Sequence, residues 1–183
     1  MILSRIINHF FLMIHKYELE KNSISEEVPD DSEFVWTKIS SSNLNLIDDL
    51  EGELSFAKIQ SLKDRSCTEG FSVYLYVDNR GKTAGYCCTS VHDTYESGMR
   101  KNVTVPNGYL YCFDDYVKIR YRGKGIHKRM AQNRAAICRQ NDLNGMVYIY
   151  HNNVKSICNY KSAGFKLAGR IFCIRPFRIT ITF

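Results

Sequence analysis

The sequence has no long apolar stretch. Its most apolar run, MILSRIINHFFLMI at residues 1–14, holds ten apolar side chains. Arg5, Asn8 and His9 interrupt it, and it falls well short of the ~20 residues that a membrane-spanning helix needs. No small-residue cleavage site follows, since KYELEKN comes next, which argues against a secretory leader. Paired cysteines are missing as well. The seven cysteines (Cys67, Cys87, Cys88, Cys112, Cys138, Cys158 and Cys173) are an odd number without C-x-x-C spacing. They read as reduced, mostly buried thiols of a cytoplasmic protein. His92, His127 and His151 lack metal-ligand spacing, so no metal is expected. The second half of the chain is poor in acid. Residues 94–183 carry 4 Asp and Glu against 16 Lys and Arg, a net +12, whereas residues 1–93 carry 15 against 9, a net −6. The basic half should attract an anion: a phosphorylated cofactor, a nucleic acid or an acidic protein.

What remains describes a globular chain. At 183 residues, 44% apolar and 24% charged, it can bury a core without disulfides or metals. Leu3, Ile7, Phe10 or Phe11, and Ile14 recur at helical spacing, so residues 1–31 are expected to be an N-terminal helix and a polar linker. Peripheral membrane contact by residues 1–15 is the other role left open. Residues 32–183 are expected to form one domain. EFVWTKIS reads as a strand, residues 40–67 as one or two short helices, and FSVYLYVDNRGKTAGYCCTSVHD as a hairpin. Gly81, Lys82 and Thr83 spell the end of a phosphate-binding loop, but Tyr76 stands where its first glycine belongs. YESGMRKNVTVPNG reads as a loop and GYLYCFDDYVKI as a strand. YRGKGIHKRMAQNRAAICRQNDLNG runs from a glycine turn into a helix. MVYIYHNN is a buried strand, NVKSICNYKSAG a short helix, and FKLAGRIFCI and RPFRITITF are two closing strands. The fold class is mixed α/β (α+β), around a largely antiparallel sheet.

The turn YRGKGIHKRM carries most of the functional information. A strand that stops at glycines and feeds a helix leaves the first helical N–H groups unpaired in a region of positive dipole, which suits an anion. Arg122 and Lys124 add charge at its rim. The spacing is neither a dinucleotide fingerprint, which would need glycine at position 128, nor a P-loop.

These residues resemble the GNAT superfamily of acyl-CoA-dependent N-acetyltransferases, whose Q/R-x-x-G-x-G/A turn binds the pyrophosphate of coenzyme A. Arg120, Gly123 and Gly125 fit one register. Arg122, Gly125 and position 127 fit the other, which the context VKIRYRGKGIH favours, and there His127 replaces the usual Gly or Ala. Further on, Asn153, Ser156, Tyr160, Gly164 and Phe165 resemble the family's second signature. The resemblance implies a sheet whose splayed strands form a cofactor cleft. It also implies acetyl-CoA as cofactor, with Val117, Arg122, Gly123, Lys124, Gly125, Ile126, His127, Asn153 and Ser156 as its binding residues.

Acyl transfer to an amine needs a neutral amine, a held carbonyl and a proton for the departing thiolate. Tyr160 is the candidate acid, with backbone N–H at a strand bulge near Val117 as the oxyanion site. Asp115, on the face of Val117, is the candidate base if burial raises its pKa; binding the substrate ammonium is its other role. The expected partner is a small-molecule primary amine, amino sugars included, acylated by direct attack on the thioester, with the protein a monomer or homodimer. The alternatives are a protein or longer-chain N-acyltransferase, a coenzyme A sensor without catalysis, or a nucleic-acid module. The last would use Lys118, Arg120, Arg122, Lys124, Lys128, Arg129, Arg134 and Arg139, although no nucleic-acid motif accompanies them.

Overall fold

The computed structural model describes residues 11–23, 33–97, 99–174 and 179–182. Its main element is an eight-stranded sheet in the order β10-β9-β1-β8-β7-β4-β3-β2. The strands are β1 (Phe11–Leu19), β2 (Phe34–Lys38), β3 (Phe71–Asp78), β4 (Thr83–Ser90), β7 (Tyr109–Val117), β8 (Asn144–Tyr150), β9 (Lys166–Ile174) and β10 (Ile179–Thr182); β5 (Thr94–Glu96) and β6 (Lys101–Val103) form a separate small hairpin. Four helices accompany them among the described residues: α1 (Asn45–Asp48), α2 (Phe56–Cys67), α3 (Ile126–Gln140) and α4 (Val154–Ser162). Every pairing in the large sheet is antiparallel except β7 with β8. The mixed, largely antiparallel sheet flanked by helices agrees with the sequence reading.

Helices cover both faces of the sheet. Ile47 of α1, Leu50 in the turn after it, and Ile59 and Leu62 of α2 pack with Val73, Leu75, Tyr86 and Phe113 on one face. On the other, Ala131, Ala135 and Cys138 of α3 and Tyr160 of α4 pack with Cys112, Val147 and Ile149. β4 lies between the two layers and is buried at every position of its sequence TAGYCCTS, which explains its small side chains. At Gly85 an added Cβ would come within 2.4 Å of the Tyr116 carbonyl oxygen. The glycine therefore allows β7 to run close over β4 just before the glycine turn.

The N-terminal segment differs from expectation. Phe11–Leu19 is not the end of a helix followed by a linker; it is β1, paired to β8 on one side and β9 on the other. The extra residue opposite Lys16 and Tyr17 lies in β9, at Ala168, so β1 keeps its regular alternation. Ile14 thus joins one core face, and Tyr17 and Leu19 the other. A strand buried on both faces loses its period of two, so its apolar positions can mimic helical spacing. Ile14 is 2% exposed and unavailable to a membrane surface. Residues 1–10, which carry most of the expected helix, lie outside the described residues.

Candidate active site

The single parallel pair opens the site. β7 and β8 are in register only from Tyr109 opposite Asn144 to Cys112 opposite Val147. Beyond that, Phe113–Val117 and Tyr148–Tyr150 part. Where they part, β7 carries an extra residue: Tyr86 pairs with Tyr116 but Cys88 pairs with Phe113. Asp114 takes the left-handed backbone (φ 57°) that such a bulge needs and that Asp tolerates better than most residues. The bulge expected near Val117 therefore lies at Asp114 and Asp115. It decides which side each acid takes: Asp114 joins Phe113 on the α2 side, beside Lys58 and Arg65, and Asp115 faces Arg134 and His127 of α3.

Two cavities meet at this gap. One, of about 840 Å³, is lined by Val117, Arg122, Gly123, Gly125, Ile126, Lys128, Lys155 and Ser156, and the other, of about 440 Å³, by Lys58, Arg65, Glu96, Tyr111, Tyr148 and Tyr160. Asp115, His127, Asn153 and Ser156 border both. The larger cavity lies over the start of α3. Gly123 (φ 83°) and Gly125 (φ 77°) are both left-handed, and Gly125 caps α3 without a side-chain hydrogen bond. An added Cβ on Gly123 would meet nothing within 4 Å, and one on Gly125 only Arg129 at 4.0 Å. The turn is thus open above an uncapped helix N-terminus, a cradle that suits a pyrophosphate.

The structure separates the candidate cofactor residues. Arg122 lines the cleft and its Nε donates to the Val117 carbonyl at 3.1 Å. Arg120 lines a hollow on the far side of the turn, so the second register, Arg122, Gly125 and His127, is the one that faces the cleft. Lys124, expected at the rim, faces that far hollow instead, 3.5 Å from Glu33 and 5.6 Å above the Phe34 ring. Lys128 and Lys155 supply the cleft charge that the sequence reading assigned to Lys124. The Asn153 side chain caps α4 by accepting from the Ser156 N–H at 3.2 Å. Ile126 is 1% exposed and anchors the helix start in the core.

At the junction, four side chains and a guanidinium form one network. Tyr160 Oη donates to Asp115 Oδ2 at 3.1 Å, and His127 Nε2 lies 3.2 Å from the same oxygen. Asn159 Nδ2 holds His127 Nδ1 at 2.7 Å. Arg134, fully buried on α3, lies 2.5 Å from Asp115 Oδ1 and donates to the Tyr160 hydroxyl. It also donates to the carbonyls of Phe113 at 2.8 Å and Cys88 at 3.0 Å, tying β7 to β4 at one end of the bulge. The sequence reading counted Arg134 only as a surface cation, yet it lies four residues after Met130 and four before Cys138, on the apolar face of α3. Lys118 was counted likewise and is 3% exposed, bound to Asp49 at 2.9 Å. Neither residue can track a nucleic-acid backbone.

The electrostatics revise the roles. Burial pushes the Asp115 carboxyl up, but Arg134 and His127 outweigh it and hold it well below the usual carboxylate range. The raised pKa expected of a general base is thus absent, and Asp115 is a permanent anion that orients its neighbours. Burial is also the leading effect on Tyr160 and, reinforced by Asp115, outweighs Arg134 to push the phenol well above its usual value. Among the described residues no cluster of His, Cys, Asp or Glu could hold a metal, and no helix is long and apolar enough to cross a membrane.

An uncapped helix start, a basic cleft and a split between two central strands thus come together in one site. The family model "Acetyltransferase (GNAT) family" matches residues 32–165, and the chain belongs to that family of acetyltransferase enzymes. Solved structures share the fold. A GCN5-related N-acetyltransferase from Sphaerobacter thermophilus aligns with a TM-score of 0.60 at 14% identity, over 92% of this chain and 53% of that one. A GNAT-family acetyltransferase from Novosphingobium aromaticivorans gives 0.59 at 12%, over 88% and 62%. An aminoglycoside acetyltransferase from an uncultured soil metagenomic sample, in complex with trehalose, gives 0.52 at 15%, over 73% and 88%. The chain spans between half and two thirds of the length of the first two. Comparison with curated protein sequences gives no match.

Proposed function

We propose that the chain transfers the acetyl group of acetyl-CoA to a primary amine of a small molecule, by direct attack of the amine on the thioester. The observation that carries this reading is the meeting of the open glycine cradle and the Tyr160–Asp115–Arg134 network at one gap in the sheet. The α3 N-terminus, Arg122, Lys128 and Lys155 hold the phosphates. Acetyl-CoA supplies the activated acyl group. Tyr160 gives its proton to the departing thiolate by turning its O–H from Asp115 toward the cleft, and the phenolate left behind lies against Arg134 until it takes up the proton that the acylated nitrogen sheds. Asp115 positions Tyr160 and His127 and takes no proton itself. The aminoglycoside acetyltransferase among the structural neighbours supports a small acceptor. Five of the seven cysteines are buried, as fits the reduced thiols of a cytoplasmic protein.

Direct attack requires both substrates on the protein at once. Initial-rate lines at several fixed acetyl-CoA concentrations should therefore intersect, and mass spectrometry of protein incubated with acetyl-CoA alone should show no acetyl-enzyme. Parallel lines together with an acetylated protein would replace direct attack by a covalent route.

A further inference from the structure

The smaller cavity holds two cations on one anion. Lys58 and Arg65 are seven residues apart and so share one face of α2; both bind the same Asp114 oxygen, Oδ2. Oδ1 of Asp114 accepts from the Tyr86 hydroxyl at 3.1 Å. The Arg65 guanidinium lies 5.0 Å from the Phe113 ring and the Lys58 ammonium 5.7 Å from the Tyr86 ring, so aromatic faces fix both. Their side chains are 24% and 29% exposed, and both line the cavity. Among the described residues, Nε and Nη2 of Arg65 have no acceptor. This wall therefore carries one positive charge more than Asp114 neutralises, with guanidinium donors to spare.

Tyr111, Phe113 and Tyr148 make the next wall aromatic, with the Glu96 carboxylate beside them. Tyr111 stacks on Phe113 with centroids 5.0 Å apart and meets Tyr148 edge-on at 5.9 Å, and the Tyr111 hydroxyl donates to Glu96 at 3.0 Å. The deep end is Asp115, His127 and Tyr160, where the transfer would take place. An occupant must present its amine at the deep end, apolar surface to the rings and negative charge to α2. Resting on the acetyl-transfer reading, we propose that the acceptor is an amine that also carries a carboxylate, an α-amino acid or a close relative, with its carboxylate held by Arg65 and Lys58. Arg65 offers the forked donors that a carboxylate takes in pairs. A polycationic amino sugar would instead meet the excess positive charge of this wall.

Paired substrates test this. Acetyl transfer is measured for L-phenylalanine against 2-phenylethylamine and for L-lysine against cadaverine, each pair differing by the carboxylate. At least one amino acid should exceed its decarboxylated partner in kcat/KM by about 10- to 100-fold, the range of one or two charge-assisted bonds. Arg65→Leu should shrink that ratio toward unity through KM, and Lys58→Met should shrink it less while perturbing α2 less. Faster transfer to the decarboxylated amines, no transfer to either amino acid, or a ratio that both variants leave intact overturns the proposal. Titration of the same preparation with acetyl-CoA separates the two layers. If acetyl-CoA binds, only the acceptor assignment falls; if it does not, the acetyl-transfer reading falls as well.

Discussion

Arg134→Met is expected to destabilise the protein by about 3–5 kcal/mol in urea unfolding, the cost of leaving one member of a buried ion pair alone. Arg134 is fully buried and reaches Asp115, the Tyr160 hydroxyl and the carbonyls of Phe113 and Cys88. Its loss strands a carboxylate and two carbonyls. The pH dependence separates this cause from lost packing. In the wild type Asp115 is held below the usual carboxylate range. Its contribution is therefore fully present above the unfolded pKa of ~4 and is lost only as the pH falls further, toward the depressed folded value. With Arg134, the largest opposing charge, removed and only His127 left against burial, the Asp115 pKa is expected to rise above its unfolded value, so that the folded state binds a proton more readily than the unfolded chain. The variant should then recover stability as the pH falls from 7 toward ~4, while the wild type gains none from this group. A deficit that stays constant over that window would reduce Arg134 to a packing residue. Arg134→Met with Asp115→Leu, which removes both charges, should be more stable than Arg134→Met alone.

Tyr160→Phe should lower kcat by ~10²-fold or more with little change in acetyl-CoA affinity, the signature of a lost proton donor. The ring packs edge-on against Phe165 at 5.1 Å, and phenylalanine keeps that contact, so the variant should fold. The hydroxyl is what changes: its oxygen accepts from Arg134 and its proton goes to Asp115 in the resting arrangement. Burial makes this phenol a weaker acid than free tyrosine. Its usefulness therefore rests on position and on Arg134, which stabilises the phenolate that forms as the proton leaves. Turnover equal to wild type would remove Tyr160 from the chemistry.

The contrast between Tyr160 and Arg134 shows what a sequence makes visible. Gly123, Gly125 and the start of α3 are contiguous in the chain, and their role follows from backbone geometry that local residues fix. Tyr160 lies in a short helix bounded by Asn153 and Gly164, which act as its cap and stop. Arg134 is different, because its partners lie on β4, β7 and α4 and only the assembled layers bring them together. Its place on the apolar face of α3 was the one local signal. The pair Asp114 and Asp115 is conspicuous in the sequence, but the left-handed turn at Asp114, which decides which acid faces which helix layer, depends on the register of β7 against β4. The Asp115 pKa was expected to rise because burial was legible and Arg134 was not. The hairpin β5–β6 read as a loop, since strands of three residues leave no period to detect. β1 was hidden by burial on both faces.

The most direct test of the central claim is calorimetric titration with acetyl-CoA, on the wild type and on an Arg122→Ala, Lys128→Ala variant. The geometry of the cleft predicts micromolar binding by the wild type, weakened at least ~10-fold in the variant, since each lost phosphate contact is worth about 1 kcal/mol or more. Absence of binding by the wild type, or equal binding by both proteins, would contradict the assignment of this turn as the acetyl-CoA site.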